Sequence, residues 1–166
     1  IPCVEICPGQ NTSKEAIEKA KEIFKLSGSS IVTVKKEIDG FILNRLQGAL
    51  LNEAMRLYSE GYASSEDIDA TIKDGLGLRW AFMGPFETID LNAPGGIKDY
   101  MARYGAIFKE MAKTQTKIPD WSEDAGNKLD LERRKVLSKD DLEKRAKKRN
   151  FLLKQLRRLK IESDET

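Results

Sequence analysis

Gly40-Phe41-Ile42-Leu43-Asn44-Arg45-Leu46, GFILNRL, is where the chain changes character. Before it stand a β-branched run, Ser30-Ile31-Val32-Thr33-Val34, and a charged step ending in Asp39-Gly40. After it, Leu43, Leu46, Leu50, Ala54 and Leu57 recur at helical spacing, and Phe41, Ile42, Ala49 and Leu51 widen the stripe. A helix apolar over so much of its circumference is expected at the centre of a domain or a dimer. Asn44 interrupts this oily run near its start. A polar side chain there needs a partner, or it costs on the order of 1–3 kcal/mol. A backbone group at the helix start or a ligand would each supply one, and spacing alone leaves both open.

Upstream, Ile1 to Cys7 reads as a short strand and Pro8-Gly9-Gln10-Asn11 as a turn. Thr12 with Glu15 makes a capping box for a helix running to about Leu26. Ser27-Gly28-Ser29 ends that helix, and Ile31 to Val34 forms a second strand. Strand, helix, strand is one α/β unit, and two strands cannot make an independent sheet. Residues 1–38 are therefore expected to be the C-terminal end of a larger doubly wound domain that starts outside this chain.

Residues 39–166 read as helical, so the fold class expected is mainly α. Gly61 stops the apolar helix, and Ser64 with Asp67 caps the next. Gly75 to Pro85, GLGLRWAFMGP, reads as a glycine-bounded loop of large side chains. Pro85 suits a first helical turn, Asn92 to Gly96 breaks that helix, and another runs from Ile97 to Met111. Ser122 caps a helix with Glu123 and Asp124 in its first turn. Ser138 and Asp141 precede a last helix from about Lys139 to Ile161. That helix is strongly basic, from Lys144 to Lys160, yet has no interleaved aromatic ladder, so it reads as a solvated surface helix rather than a nucleic-acid site.

The bulk numbers exclude several classes. Of the 166 residues, 40% are hydrophobic and 34% charged, an ordinary balance for a helical protein. A net charge of +2 steers neither nucleic acid nor acidic substrates. No apolar run has the length of a membrane helix, so no membrane is expected. The two cysteines, Cys3 and Cys7, would lie ~13 Å apart in a strand, too far for a disulfide. With no histidine and only two thiols, a four-ligand zinc site is not expected, and a reduced, cytoplasmic setting is. The chain also lacks the commonest general base.

Three side chains could carry chemistry. Glu5, flanked by Val4 and Ile6, is either an exposed strand residue or a carboxylate that orients an imidazole held elsewhere. Asn44 either caps backbone groups or polarises a substrate oxygen. Arg79, between Leu78 and Trp80, either lies over apolar packing or grips a carboxylate through two parallel hydrogen bonds. Gly75-x-Gly77 lacks a third glycine and a preceding strand, so it is not a dinucleotide loop.

Four stretches together resemble the C-terminal part of the 3-hydroxyacyl-CoA dehydrogenase family: IPCVEI at 1–6, VTVKKEIDGFILNRL at 32–46, NEAMRLYSEGYASSEDIDATIKDGLG at 52–77 and MGPFETIDLN at 83–92. The resemblance runs to about Tyr104. It implies a Rossmann domain that binds NAD outside this chain, and a helical domain that closes the substrate cleft and forms a homodimer. It implies that Glu5 pairs with a catalytic histidine outside this chain, and that Asn44 contacts the reacting part of the substrate. GLGLRWAFMGP is longer than the matching stretch of fatty-acyl members and looks like the lambda-crystallin branch, which acts as an L-gulonate 3-dehydrogenase. A carnitine dehydrogenase class shares a similar loop. The resemblance thus implies oxidation of a secondary alcohol at C3 by hydride transfer to NAD, with Arg79 holding the substrate carboxylate. An acyl-CoA substrate, in mitochondria, and a non-catalytic crystallin-like module are the alternatives. The chain alone is expected to be inactive.

Overall fold

The computed structural model describes residues 2–164. Ile1, read above as the start of the first strand, lies outside them. The chain divides into two compact units, Ile1–Asn52 and Glu53–Thr166.

In the first unit, β1 (Cys3–Ile6) and β2 (Ser30–Thr33) pair in parallel, with Glu5 opposite Val32. The pairing extends at both ends, because Ser30 N–H donates to Pro2 O at 2.7 Å and Val34 N–H to Ile6 O at 2.8 Å. Val34 closes this ladder and is among the few buried apolar residues. A parallel pair needs a crossover, and α1 (Lys14–Leu26) supplies it. Its cap is Ser13, whose hydroxyl accepts from Ala16 N–H at 3.1 Å, one residue later than the capping box predicts. Thr12 is diverted, since its Oγ1 accepts the Gly9 N–H at 3.0 Å and closes the preceding turn. Both cysteines are free.

α2 (Phe41–Ser59) follows where the apolar periodicity places it. It ends at Gly61, whose φ of +77° lets Tyr62 N–H reach back to Leu57 O at 2.9 Å. Its expected central burial is not met by this chain's own packing. Met55 is its one buried residue, whereas Leu46 stands 61% exposed.

The second unit is helical throughout. α3 (Ser65–Ala70) starts at Ser64, whose hydroxyl accepts from Asp67 N–H at 3.1 Å. A π-helical turn, Thr71–Leu76, continues it into α4 (Gly77–Trp80). The glycine-bounded loop expected at 75–85 is therefore helical over its first half. Gly77 sits in helical conformation and marks a close approach instead of a turn, because a Cβ there would come 2.8 Å from Ile72 O. α5 (Pro85–Leu91) begins on its proline, and α6 (Gly96–Thr114) packs against it. α7 (Glu123–Val136) is capped by Ser122, and α8 (Leu142–Asp164) follows a turn closed by Ser138. α8 is solvated, with Phe151, Leu152 and Leu153 each more than half exposed. No described helix is long and apolar enough to cross a membrane.

Candidate functional site

Every α-helix starts with N–H groups that lack an intrahelical partner. α1, α3 and α7 each meet one of them with a serine at the cap, but α2 does not. Gly40 has no side chain, and the first turn holds no acidic residue. Two left-handed residues in succession, Gly40 at φ +80° and Phe41 at φ +47°, bend the chain into the helix. That conformation is ordinary for glycine and costly for phenylalanine, so something outside the segment must hold it.

Glu5 does so. Its Oε1 accepts from Ile42 N–H at 2.8 Å and from Leu43 N–H at 3.3 Å. The carboxylate thus satisfies two orphan donors and places its charge at the positive end of the helix macrodipole. Neither sequence reading of Glu5 anticipates this. A signal existed, however: Gly40 stands where a serine, threonine, asparagine or aspartate would cap, which leaves the first N–H groups open to an acceptor from elsewhere.

The Glu5 cap answers the question that Asn44 raised. The backbone groups that its amide would have capped are already taken by Glu5. Asn44 is exposed, and its side chain makes no hydrogen bond among the described residues. Its acceptor and two donors are therefore available to a ligand. The structure brings Glu5 and Asn44 onto the same helix start, within one compact unit.

Arg79 lies in the other unit, on α4, just after the π-helical turn. It is exposed and makes no ion pair with any described carboxylate. Its guanidinium is thus also available to an anion. Short π-helical insertions recur at functional sites, because the extra residue re-aims the side chains that follow.

Sequence reasoning also missed a second carboxylate bound across elements, Glu132 of α7. Its Oε1 accepts from the N–H of Ser65 at 2.7 Å. Ser65 is itself buried. The Ser65 side chain and then its N–H hold the Glu132 carboxyl below its usual range, helped by the Tyr58 phenol. Burial first, and then this carboxylate, push the Tyr58 phenol up. On α2, Arg56 bridges Glu53 at 2.7 Å and Glu60 at 3.0 Å and lies over the Tyr62 ring. The hydrogen bond from Arg56 holds Glu53 below its usual range. Arg56, Glu53 and Glu60 are thus paired with one another.

A dinucleotide does not fit the turn between β1 and α1. Its single glycine, Gly9, has its N–H bonded to Thr12 and its carbonyl bonded to Thr12 N–H at 3.1 Å, so the turn presents no free cradle to a pyrophosphate. No described cluster of three or more histidine, cysteine or carboxylate side chains could hold a metal.

The family model for the C-terminal domain of 3-hydroxyacyl-CoA dehydrogenase matches residues 40–138. Lambda-crystallin from Oryctolagus cuniculus is 41% identical over 162 residues, covering 96% of this chain and 50% of its own length. L-carnitine dehydrogenase from Pseudomonas putida is 44% identical over 110 residues, covering 66% of this chain and 34% of its own. Among solved structures, an NAD-dependent dismutase, a 5-dehydrogenase of a 5-formyl-3-hydroxy-2-methylpyridine 4-carboxylic acid, superposes with a TM-score of 0.63. It is 26% identical and covers 74% of this chain and 38% of that one. The chain thus spans half or less of the length of the relatives it matches. Residues 40–138 carry the family's domain, and the chain belongs to the 3-hydroxyacyl-CoA dehydrogenase family.

Proposed function

We propose that these residues form the substrate-facing and dimer-forming part of an NAD-dependent 3-hydroxy-acid dehydrogenase whose substrate carries a carboxylate, L-gulonate or a close relative of it. The observation that carries this reading is the Asn44 amide, left without a protein partner because Glu5 has taken the backbone donors beside it. Asn44 donates to the oxygen at C3 and steadies the charge that develops there. The second oxygen of Glu5, unbonded among the described residues, receives the ring N–H of a histidine that this chain does not contain. NAD supplies the hydride acceptor, and it is held by a part of the protein other than these residues.

Arg79 grips the carboxylate. An acyl-CoA thioester offers no carboxylate at its reacting end, whereas L-carnitine and a pyridine carboxylic acid, named for two of the similar proteins, both carry one. The full-length protein is expected to turn over L-gulonate far better than acetoacetyl-CoA in its reverse assay. Arg79→Met is expected to raise KM for gulonate by one to two orders of magnitude, the usual loss on removing one partner of a charge-assisted pair. Preference for the thioester, or an Arg79→Met enzyme with unchanged gulonate kinetics, would replace this reading with the acyl-CoA one. This chain by itself, mixed with NAD and gulonate, is expected to produce no NADH.

The partner proposed is a second copy. α5 and α6 leave an apolar groove lined by Phe86, Ile89, Tyr100, Met101 and Phe108, with Phe86 74% exposed. Apolar surface gathered in this way marks an association face. Sedimentation of the full-length protein should show a dimer, and a clean monomer at high concentration would refute that face.

A further inference from the structure

The geometry points to Glu5 as a positioning residue for Asn44, a role separate from any contact it makes with a catalytic base. This inference rests on the functional reading above, in which Asn44 touches the substrate.

The argument starts from what α2 lacks. No side chain near its start is described accepting from its first free N–H groups, and Phe41 occupies a φ of +47°, which a bulky side chain rarely adopts. Left alone, such a start would fray or shift by a residue. A one-residue shift turns a helical side chain by about 100°, which would carry Asn44 off its face. The only acceptor described on the first two free donors is Oε1 of Glu5, at 2.8 Å and 3.3 Å. Asn44 is the very next residue. Glu5 is itself fixed, because β1 is paired to β2 through its whole length and Glu5 sits opposite Val32. The strand therefore sets the height and rotation of the helix start, and the helix start sets the amide. One carboxylate oxygen is spent on this task. The other is left for the base, so the same side chain fixes two members of the site from its two oxygens.

Glutamine separates the two tasks. Its carbonyl oxygen still accepts the two N–H groups, but its amide nitrogen cannot accept a ring N–H. Alanine removes both tasks. In the full-length protein, Glu5→Gln is expected to lower kcat and leave KM near wild type. Glu5→Ala is expected to lower kcat about tenfold further than Glu5→Gln, because the displaced amide no longer meets the charge developing at C3. In an Asn44→Ala background, Glu5→Ala should lower kcat no further than Glu5→Gln does. Two readouts need no turnover. Amide exchange at Ile42 and Leu43 should quicken in Glu5→Ala and hold in Glu5→Gln, and the Asn44 side-chain amide resonances should move only in Glu5→Ala. Exchange at Ala16, held by Ser13, serves as the control for general loosening.

Equal kcat values for the two Glu5 variants, a kcat gap between them that persists in the Asn44→Ala background, or unchanged exchange at Ile42 and Leu43 in Glu5→Ala would each overturn the inference. Should the full-length wild type oxidise no hydroxy acid, the functional reading fails by itself, and the exchange and resonance arms still decide whether Glu5 sets the Asn44 amide.

Discussion

At α2 the first free N–H groups are met by Glu5, 37 residues upstream, and at α3 the Ser65 N–H is met by Glu132, 67 residues downstream. The two starts differ in what else holds them. α3 has its own cap in Ser64, which accepts from Asp67 N–H and donates to the Asp67 carboxylate at 2.6 Å, and its backbone is unstrained. α2 has no cap of its own and two consecutive left-handed residues. Where a remote carboxylate adds to a local cap, it joins elements already formed. Where it is the sole acceptor, the strain it holds sits beside an unpartnered amide. Strained backbone persists only when the surroundings over-determine it, and it gathers at sites that bind.

The largest effect expected from this contrast is at Asn44. Asn44→Ala in the full-length protein should lower kcat by about 10²–10³-fold, the usual loss on removing one oxyanion donor. The melting temperature should stay within a degree or two, because the amide supports no protein group. An active Asn44→Ala enzyme, or one that unfolds early, would return this asparagine to a structural role and remove the distinction between the two starts.

How much of this was legible depends on the range of each interaction. Ser64 and Ser122 cap where the sequence places them, because a cap is a contact between neighbours in the chain. The α1 cap moved by one residue for an equally local reason, the competing bond from Gly9 to Thr12. The stretch at 75–85 was misread because glycine is weighed as a breaker, whereas Gly77 serves a helix that must pass close to Ile72 O. Glu5 and Asn44 each stand out as candidates in the sequence, but their connection through Ile42 and Leu43 does not, since no periodicity reports a bond across 37 residues. What covers α2 is not legible in the sequence for a related reason. An apolar stripe says that a cover is needed and not which chain supplies it.

The smallest effect lies at the other start. Because Glu132 is held below its usual range, its contribution to stability is complete above the ordinary glutamate pKa of about 4.3 and is lost as pH falls through the lowered folded value. Glu132→Gln keeps an acceptor for the Ser65 N–H and removes the titration. Wild type should therefore be slightly more stable than Glu132→Gln at pH 7 by denaturant unfolding, and the gap should close when both are measured near pH 3. With Ser64 still capping α3, kcat should not change. A gap that persists in acid would mean that shape rather than charge joins α7 to α3. A fall in kcat would mean that this start, too, is tied to the site, and the contrast with α2 would then rest on strain alone.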